Sequence, residues 1–316
     1  RYMMSSSLKY EILSWLNISG RVRLDNDYGT KEEKLYASTA NFLVGWKPEF
    51  GPHDKGYYSV GNSKDEQTYA DIMLNMNKNF GEDFSLTANL GSSYNDRYST
   101  SLSAGGYLFR LPNLFSAANF NPQIGGSGQG YSRAKNVAVF GSAELGYKGM
   151  LYLSVTGRND WFSTVSVPIF YPSVTFSYVF TNSFKNLPSW FSYGKLRAGW
   201  AQVGNDADAY ALKTYPNVYQ SFRGSQYYLV PTEKKNPDLR PEIKETKEAG
   251  IDLQFFNSRL SLGFSYYDIL SKDLILSLPV DAANGYTYKN INSGEMSNQG
   301  FEITLSATPV HTDKLS

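Results

Sequence analysis

Ile251-Asp252-Leu253-Gln254-Phe255, then Phe256-Asn257-Ser258-Arg259, then Leu260-Ser261-Leu262-Gly263-Phe264-Ser265-Tyr266-Tyr267: reading this stretch decides the fold. Ile251, Leu253 and Phe255 alternate with Asp252 and Gln254. After four residues suited to a turn, Leu260, Leu262, Phe264 and Tyr266 alternate with Ser261 and Ser265. Successive strand side chains point to opposite faces, so each run has one apolar and one polar face, and the tight turn folds the two runs into an antiparallel hairpin. The rhythm continues outward in both directions. Leu16, Ile18, Val22 and Leu24 are set against Asn17, Ser19, Arg21 and Arg23. Leu151, Leu153 and Val155 oppose Tyr152, Ser154 and Thr156, while Phe301, Ile303 and Leu305 oppose Glu302 and Thr304.

The connections alternate too. Gly81-Glu82-Asp83, Lys148-Gly149 and the turn at 256–259 are tight, whereas 28–67, 99–135 and 204–242 read as long loops. Loops beyond about 15 residues are uncommon in compact soluble domains. Long loops at one end of a meander and short turns at the other match an antiparallel up-and-down transmembrane β-barrel. The pattern predicts an all-β chain of about eleven strands, most of roughly 9 to 13 residues, where about 9–11 suffice to cross a bilayer. A soluble sandwich would turn the polar face to water; a barrel turns it to the lumen and its apolar face to lipid. Any single strand fits both. Loop asymmetry, and Tyr94, Tyr98, Tyr147, Tyr266 and Tyr267 near strand ends, favour the barrel.

Composition narrows the chemistry. Among 316 residues, 30 Lys+Arg balance 29 Asp+Glu, which gives no reason to expect a nucleic-acid partner. The absence of Cys excludes thiolate metal sites and thiol nucleophiles, and two His exclude His-rich metal clusters. No cofactor or metal is expected. With 25 Tyr and 27 Gly the chain is built for strands and turns. No run approaches 18 consecutive apolar residues, so no transmembrane helix is predicted.

Longer strings carry a family resemblance. Asn236-Pro237-Asp238-Leu239-Arg240-Pro241-Glu242 ahead of Ala249-Gly250-Ile251-Asp252-Leu253 resembles the signature of TonB-dependent outer-membrane receptors. Gly157-Arg158-Asn159-Asp160-Trp161, Tyr171-Pro172-Ser173-Val174, Leu196-Arg197-Ala198-Gly199-Trp200 and Asn298-Gln299-Gly300-Phe301-Glu302 narrow it to the SusC/RagA-type branch. The resemblance is clearest from Val137 to Pro309. It implies a 22-stranded barrel in a Gram-negative outer membrane, of which residues 1–316 would be a partial β-barrel domain without plug, N-terminal extension and C-terminal strands. It also implies a nutrient importer, no enzyme, that takes up oligosaccharide or peptide from a SusD-like surface lipoprotein and is driven by a TonB complex through the plug. The readings from other classes are a secreted soluble β-rich carbohydrate-binding module and, behind it, a β-rich glycoside hydrolase.

Candidate ligand-binding residues follow from the loop side. Flat rings offer a sugar or peptide large contact area at low entropy cost. Trp161, Tyr227, Tyr228 and Tyr286 are the stacking candidates, with Trp46 among further loop aromatics, and Arg158, Asn205 and Asp206 the hydrogen-bonding ones. Other motifs read as structural. Asp25-Asn26-Asp27-Tyr28-Gly29 begins like a calcium loop but has Tyr36 where the bidentate Glu belongs. Gly125-Gly126-Ser127-Gly128-Gln129-Gly130 lacks the Lys-Ser/Thr and helix of a phosphate loop, so a mobile loop is expected. In 236–242, Pro237 and Pro241 fix φ and set the angle of entry into the next strand.

Overall fold

The computed structural model describes residues 1–39, 55–121, 126–184, 186–215, 217–222, 225–229 and 231–308, with the backbone alone for 217–222 and 225–229. Eleven strands make one sheet: β1 (Tyr2–Leu13), β2 (Leu16–Leu35), β3 (Tyr57–Phe80), β4 (Phe84–Tyr107), β5 (Gly126–Tyr147), β6 (Leu151–Phe162), β7 (Ile169–Tyr178), β8 (Phe191–Asn205), β12 (Glu242–Phe255), β13 (Leu260–Lys272) and β16 (Met296–Ala307). They neighbour one another in chain order, as an up-and-down meander requires. The remaining short strands lie in connections. β9 (Asn217–Phe222) pairs with β10 (Ser225–Leu229), and β11 (Glu233–Lys234), β15 (Tyr288–Asn292) and β14 (Ile275–Pro279) form a three-stranded sheet.

Register turns the alternation into two faces. Leu196, Ile251, Phe264 and Ile303 stand in one row across β8, β12, β13 and β16, and Leu145, Leu153 and Phe176 in another across β5–β7. On the opposite face Lys195, Asp252, Gly263 and Thr304 form one row, and Ser142, Thr156 and Ser173 another. The apolar rows are uncovered. Leu153 is 44% exposed, Val155 45%, Phe176 43% and Leu196 44%, although each sits on an interior strand. Fully buried hydrophobic residues among the described ones are few, and the cluster Val165, Ala207, Ala211 and Leu239 lies in the connections. The apolar side chains thus lie exposed on one face of a sheet and not in a dry core between two sheets.

Strands run into both ends of two segments expected to be loops throughout, 28–67 and 99–135. β2 runs on to Leu35, β3 begins at Tyr57, β4 reaches Tyr107 and β5 begins at Gly126. Asp25–Gly29 and 126–130 therefore belong to strands, which corrects the expectation of a loop at each. These extensions are polar on both faces, so the period-two hydrophobic signal disappears while the backbone ladder persists. Same-face ion pairs two residues apart, Lys34–Glu32 at 2.7 Å and Lys64–Glu66 at 2.8 Å, accompany them.

By contacts the chain forms two compact units. One comprises Arg1–Ser6, Val22–Ala70 and Asn95–Ala134. Here Arg1 and Arg133 pair with Asp25 and Asp96 at 2.9 and 2.7 Å, Tyr98 meets Tyr131 edge-on, and buried Asn119 binds the backbone of Arg110, Leu111 and Leu114. The other comprises Ser7–Arg21, Asp71–Tyr94 and Lys135–Ser316. Its turn at Phe256, Asn257 and Ser258 is left-handed at all three residues, held by Phe256 N–H to Trp190 O at 2.7 Å and Asn257 N–H to Ser192 Oγ at 2.8 Å.

Within this unit Gly194 of β8 lies under the Phe180 ring, which a Cβ would strike. Phe180 in turn stacks on Phe191 with centroids 6.0 Å apart. Gly194→Val is expected to lower unfolding stability by about 1–3 kcal/mol through overpacking. Gly126→Ala, where nothing stands within 4 Å, should be neutral. Guanidinium unfolding in detergent checks both, and equal midpoints would refute the packing account.

Candidate functional site

A cup of about 470 Å³ opens on the polar face where β5–β8 approach their long connections. Alternation builds it: Thr156, Arg158, Asp160 and Phe162 are every second residue of β6, and Tyr171 and Ser173 every second residue of β7. Arg158 donates through Nε and Nη2 to the two carboxylate oxygens of Asp160 at 2.7 and 2.8 Å. Its guanidinium carbon lies 5.5 Å from the Phe140 ring centroid, within cation–π range. Asp160 is 1% exposed, so the carboxylate is out of water and neutralised by this fork. Thr156 and Ser173 share a hydrogen bond of 2.6 Å. Asn136, across from Phe162, lines the same cup, and its Oδ1 is buried without a hydrogen-bond partner.

Beyond the cup the connections are tied into a knot. Leu239, 1% exposed, packs with Val165, Ala207 and Ala211, against which Phe162, Leu212 and Ile275 also lean. Asn292 Oδ1 accepts from Arg240 N–H at 2.8 Å, and its Nδ2 donates to Arg240 O and Asp273 O at 2.7 and 2.8 Å. Glu242 Oε1 accepts from Ile275 N–H at 2.8 Å. The 236–242 segment is therefore a structural anchor, as its prolines suggested. In the three-stranded sheet, the Lys235 ammonium bonded to Glu233 at 2.8 Å holds that carboxyl below the usual range, against a smaller opposing effect of burial.

Among the candidate ligand residues whose side chains are described, Arg158 alone lines the cup. Trp161, 48% exposed, lies on the apolar face beside Val137, one residue out of phase with Arg158. Asp206 accepts from Thr164 at 3.0 Å in the knot, and exposed Asn205 reaches Glu242 at 3.5 Å. Tyr286 lies under the Lys234 ammonium at 5.7 Å. Tyr227 and Tyr228 have their backbones in β10, while their side chains, and Trp46 entirely, lie outside the described residues. Sequence reasoning missed Asp160, Tyr171 and Asn136 as cup residues. The Arg-x-Asp spacing at 158 and 160 was the available signal, since residues two apart on a strand share a face.

A family model described as TonB dependent receptor-like, beta-barrel, matches residues 5–312. TonB-dependent receptor P26 of Formosa agariphila is 27% identical over 246 residues, 75% of this chain and 25% of that protein. TonB-dependent receptor SusC of Bacteroides thetaiotaomicron is 29% identical over 126 residues, 37% of this chain and 13% of that protein. The chain thus spans a quarter or less of the length of these curated relatives. Among solved structures, that of the RagAB peptide transporter superposes with a TM-score of 0.84 at 18% identity, covering 99% of this chain and 34% of that one. That likeness is one of fold.

Proposed function

We propose that this chain, which belongs to the TonB dependent receptor-like β-barrel family, forms part of the wall of a larger closed barrel in the outer membrane of a Gram-negative bacterium. The complete receptor imports a nutrient and is energised through TonB. The observation that carries this reading is the uncovered apolar face on interior strands, a liability in water and a requirement in lipid. The same face argues against a soluble carbohydrate-binding module. Open edges support closure by further strands. Among the described residues, β1 and β16 are each paired on one side only, and every residue of β1 is exposed. Unpaired backbone groups in hydrocarbon cost several kcal/mol each, so in a membrane both edges need partners.

By the SusC/RagA resemblance, the connections on the long-loop side meet a SusD-like lipoprotein that hands over oligosaccharide or peptide. RagAB is described as a peptide transporter, which keeps peptide level with oligosaccharide as cargo. Fractionation of cells carrying the complete receptor should leave it in the outer membrane, released by detergent and not by high salt. Uptake of labelled peptide or oligosaccharide should stop when TonB is deleted. Recovery in the salt wash overturns the barrel reading, and uptake that ignores TonB overturns the energised one.

A further inference from the structure

The cup on β5–β8 has a chemistry that selects among cargo units. Its two charges cancel internally. Asp160 is buried and both of its oxygens are taken by Arg158, whose Nη1 is left without a bond among the described residues. A second carboxylate brought here would meet a cation already neutralised and a buried anion beside it. A second cation would meet the guanidinium. An uncharged group meets neither penalty.

The hydrogen-bonding inventory is two-sided. Asn136 lines the cup with an acceptor that has no donor and is covered from solvent until its amide turns toward the cup. Within the Thr156–Ser173 pair only one hydroxyl proton is used, so the other remains to be donated outward. Arg158 Nη1 supplies a second outward donor. Phe162 and Tyr171 add ring surface, and the volume falls within the range of about 300–1,000 Å³ usual for small-molecule sites.

We propose that this cup is a cargo subsite for an uncharged unit that brings an N–H or O–H donor to Asn136 and an acceptor to Arg158 and the hydroxyl pair, and that it discriminates against carboxylate-bearing units. The inference rests on the import reading and assigns its selectivity to named residues. A peptide amide and a sugar hydroxyl share the required chemistry, so the test crosses source with charge. The complete receptor in detergent is titrated with four probes: N-acetyl-trialanine amide, maltotriose, triglutamate and trigalacturonate.

At least one uncharged probe should bind tenfold or more tighter than its charged counterpart, and which one does so identifies the source. Asn136→Leu should weaken that probe about tenfold without lowering the unfolding midpoint. Should Asn136→Leu fail to fold, Thr156→Val takes its place, with a loss of threefold or more expected. Charged probes binding as well as uncharged ones, no binding by any of the four, or unaltered affinity in the folded variant each overturn the subsite. TonB-dependent uptake combined with charge-blind binding sinks the subsite alone. Uptake that ignores TonB combined with charge-selective binding sinks the import reading and leaves the subsite standing.

Discussion

Arg158→Met will destabilise the protein by about 3–5 kcal/mol, because it strands a buried carboxylate. Asp160 is 1% exposed and is held by the Arg158 fork, at 2.7 and 2.8 Å. With the guanidinium gone, the carboxylate must stay charged without a partner, take up a proton, or drag its strand end toward water. Each route costs free energy. Replacing both members should cost much less, since a buried ion pair exchanged for apolar groups of similar volume is often neutral. The double variant Arg158→Met with Asp160→Leu is therefore expected to recover most of the loss. Guanidinium unfolding of the receptor in detergent, run as a double-mutant cycle, measures the coupling. A single variant within about 0.5 kcal/mol of the parent, or a double variant as unstable as the sum of the two singles, would show that the pair does not hold this end of β6.

How much of this was legible beforehand depends on what each residue had to reveal. The faces were legible because burial on one side writes itself into every second residue: Ile251 beside Phe264, and Asp252 beside Lys195, follow from alternation and a tight turn. The lengths of β2–β5 were not. Lys31, Glu32, Glu33 and Lys34 carry no hydrophobic period, and a strand held by its ladder and by ion pairs looks like a loop in sequence. At the site, Arg158 was identified by its residue type, but its partner required the parity rule to be applied to 158 and 160. The same rule would have moved Trp161 off the cup, since an odd offset from Arg158 puts it on the apolar face. The unpartnered oxygen of Asn136 had no sequence signal at all. It arises from how neighbouring side chains cover one atom of β5, and that is a tertiary property.

Leu239→Ala tests the knot, and the expected loss is about 2–5 kcal/mol. Leu239 is 1% exposed, and its neighbours Val165, Ala207 and Ala211 come from the connections after β6 and β8. Two of those three are alanines with little volume to move inward, so the truncated site should collapse poorly and keep a cavity. The loss should also be local. The sheet rows below are joined by backbone ladders that do not pass through Leu239, whereas Arg240, Asn292, Asp273 and Ile275 are bonded through the segment it anchors. Hydrogen exchange should therefore rise across 206–215, 236–242 and 273–292 while β12 and β13 stay protected. Proteolysis should cut the same connections first. A uniform rise across the sheet would place Leu239 in the global core, and unchanged exchange would mean that Asn292 and the two prolines hold the segment without it. Phe162 joins knot to cup, since it leans on the Leu239 cluster and lines the cup as well. Loosening the knot should therefore weaken cargo binding in the cup even though Leu239 is not among the residues that line it.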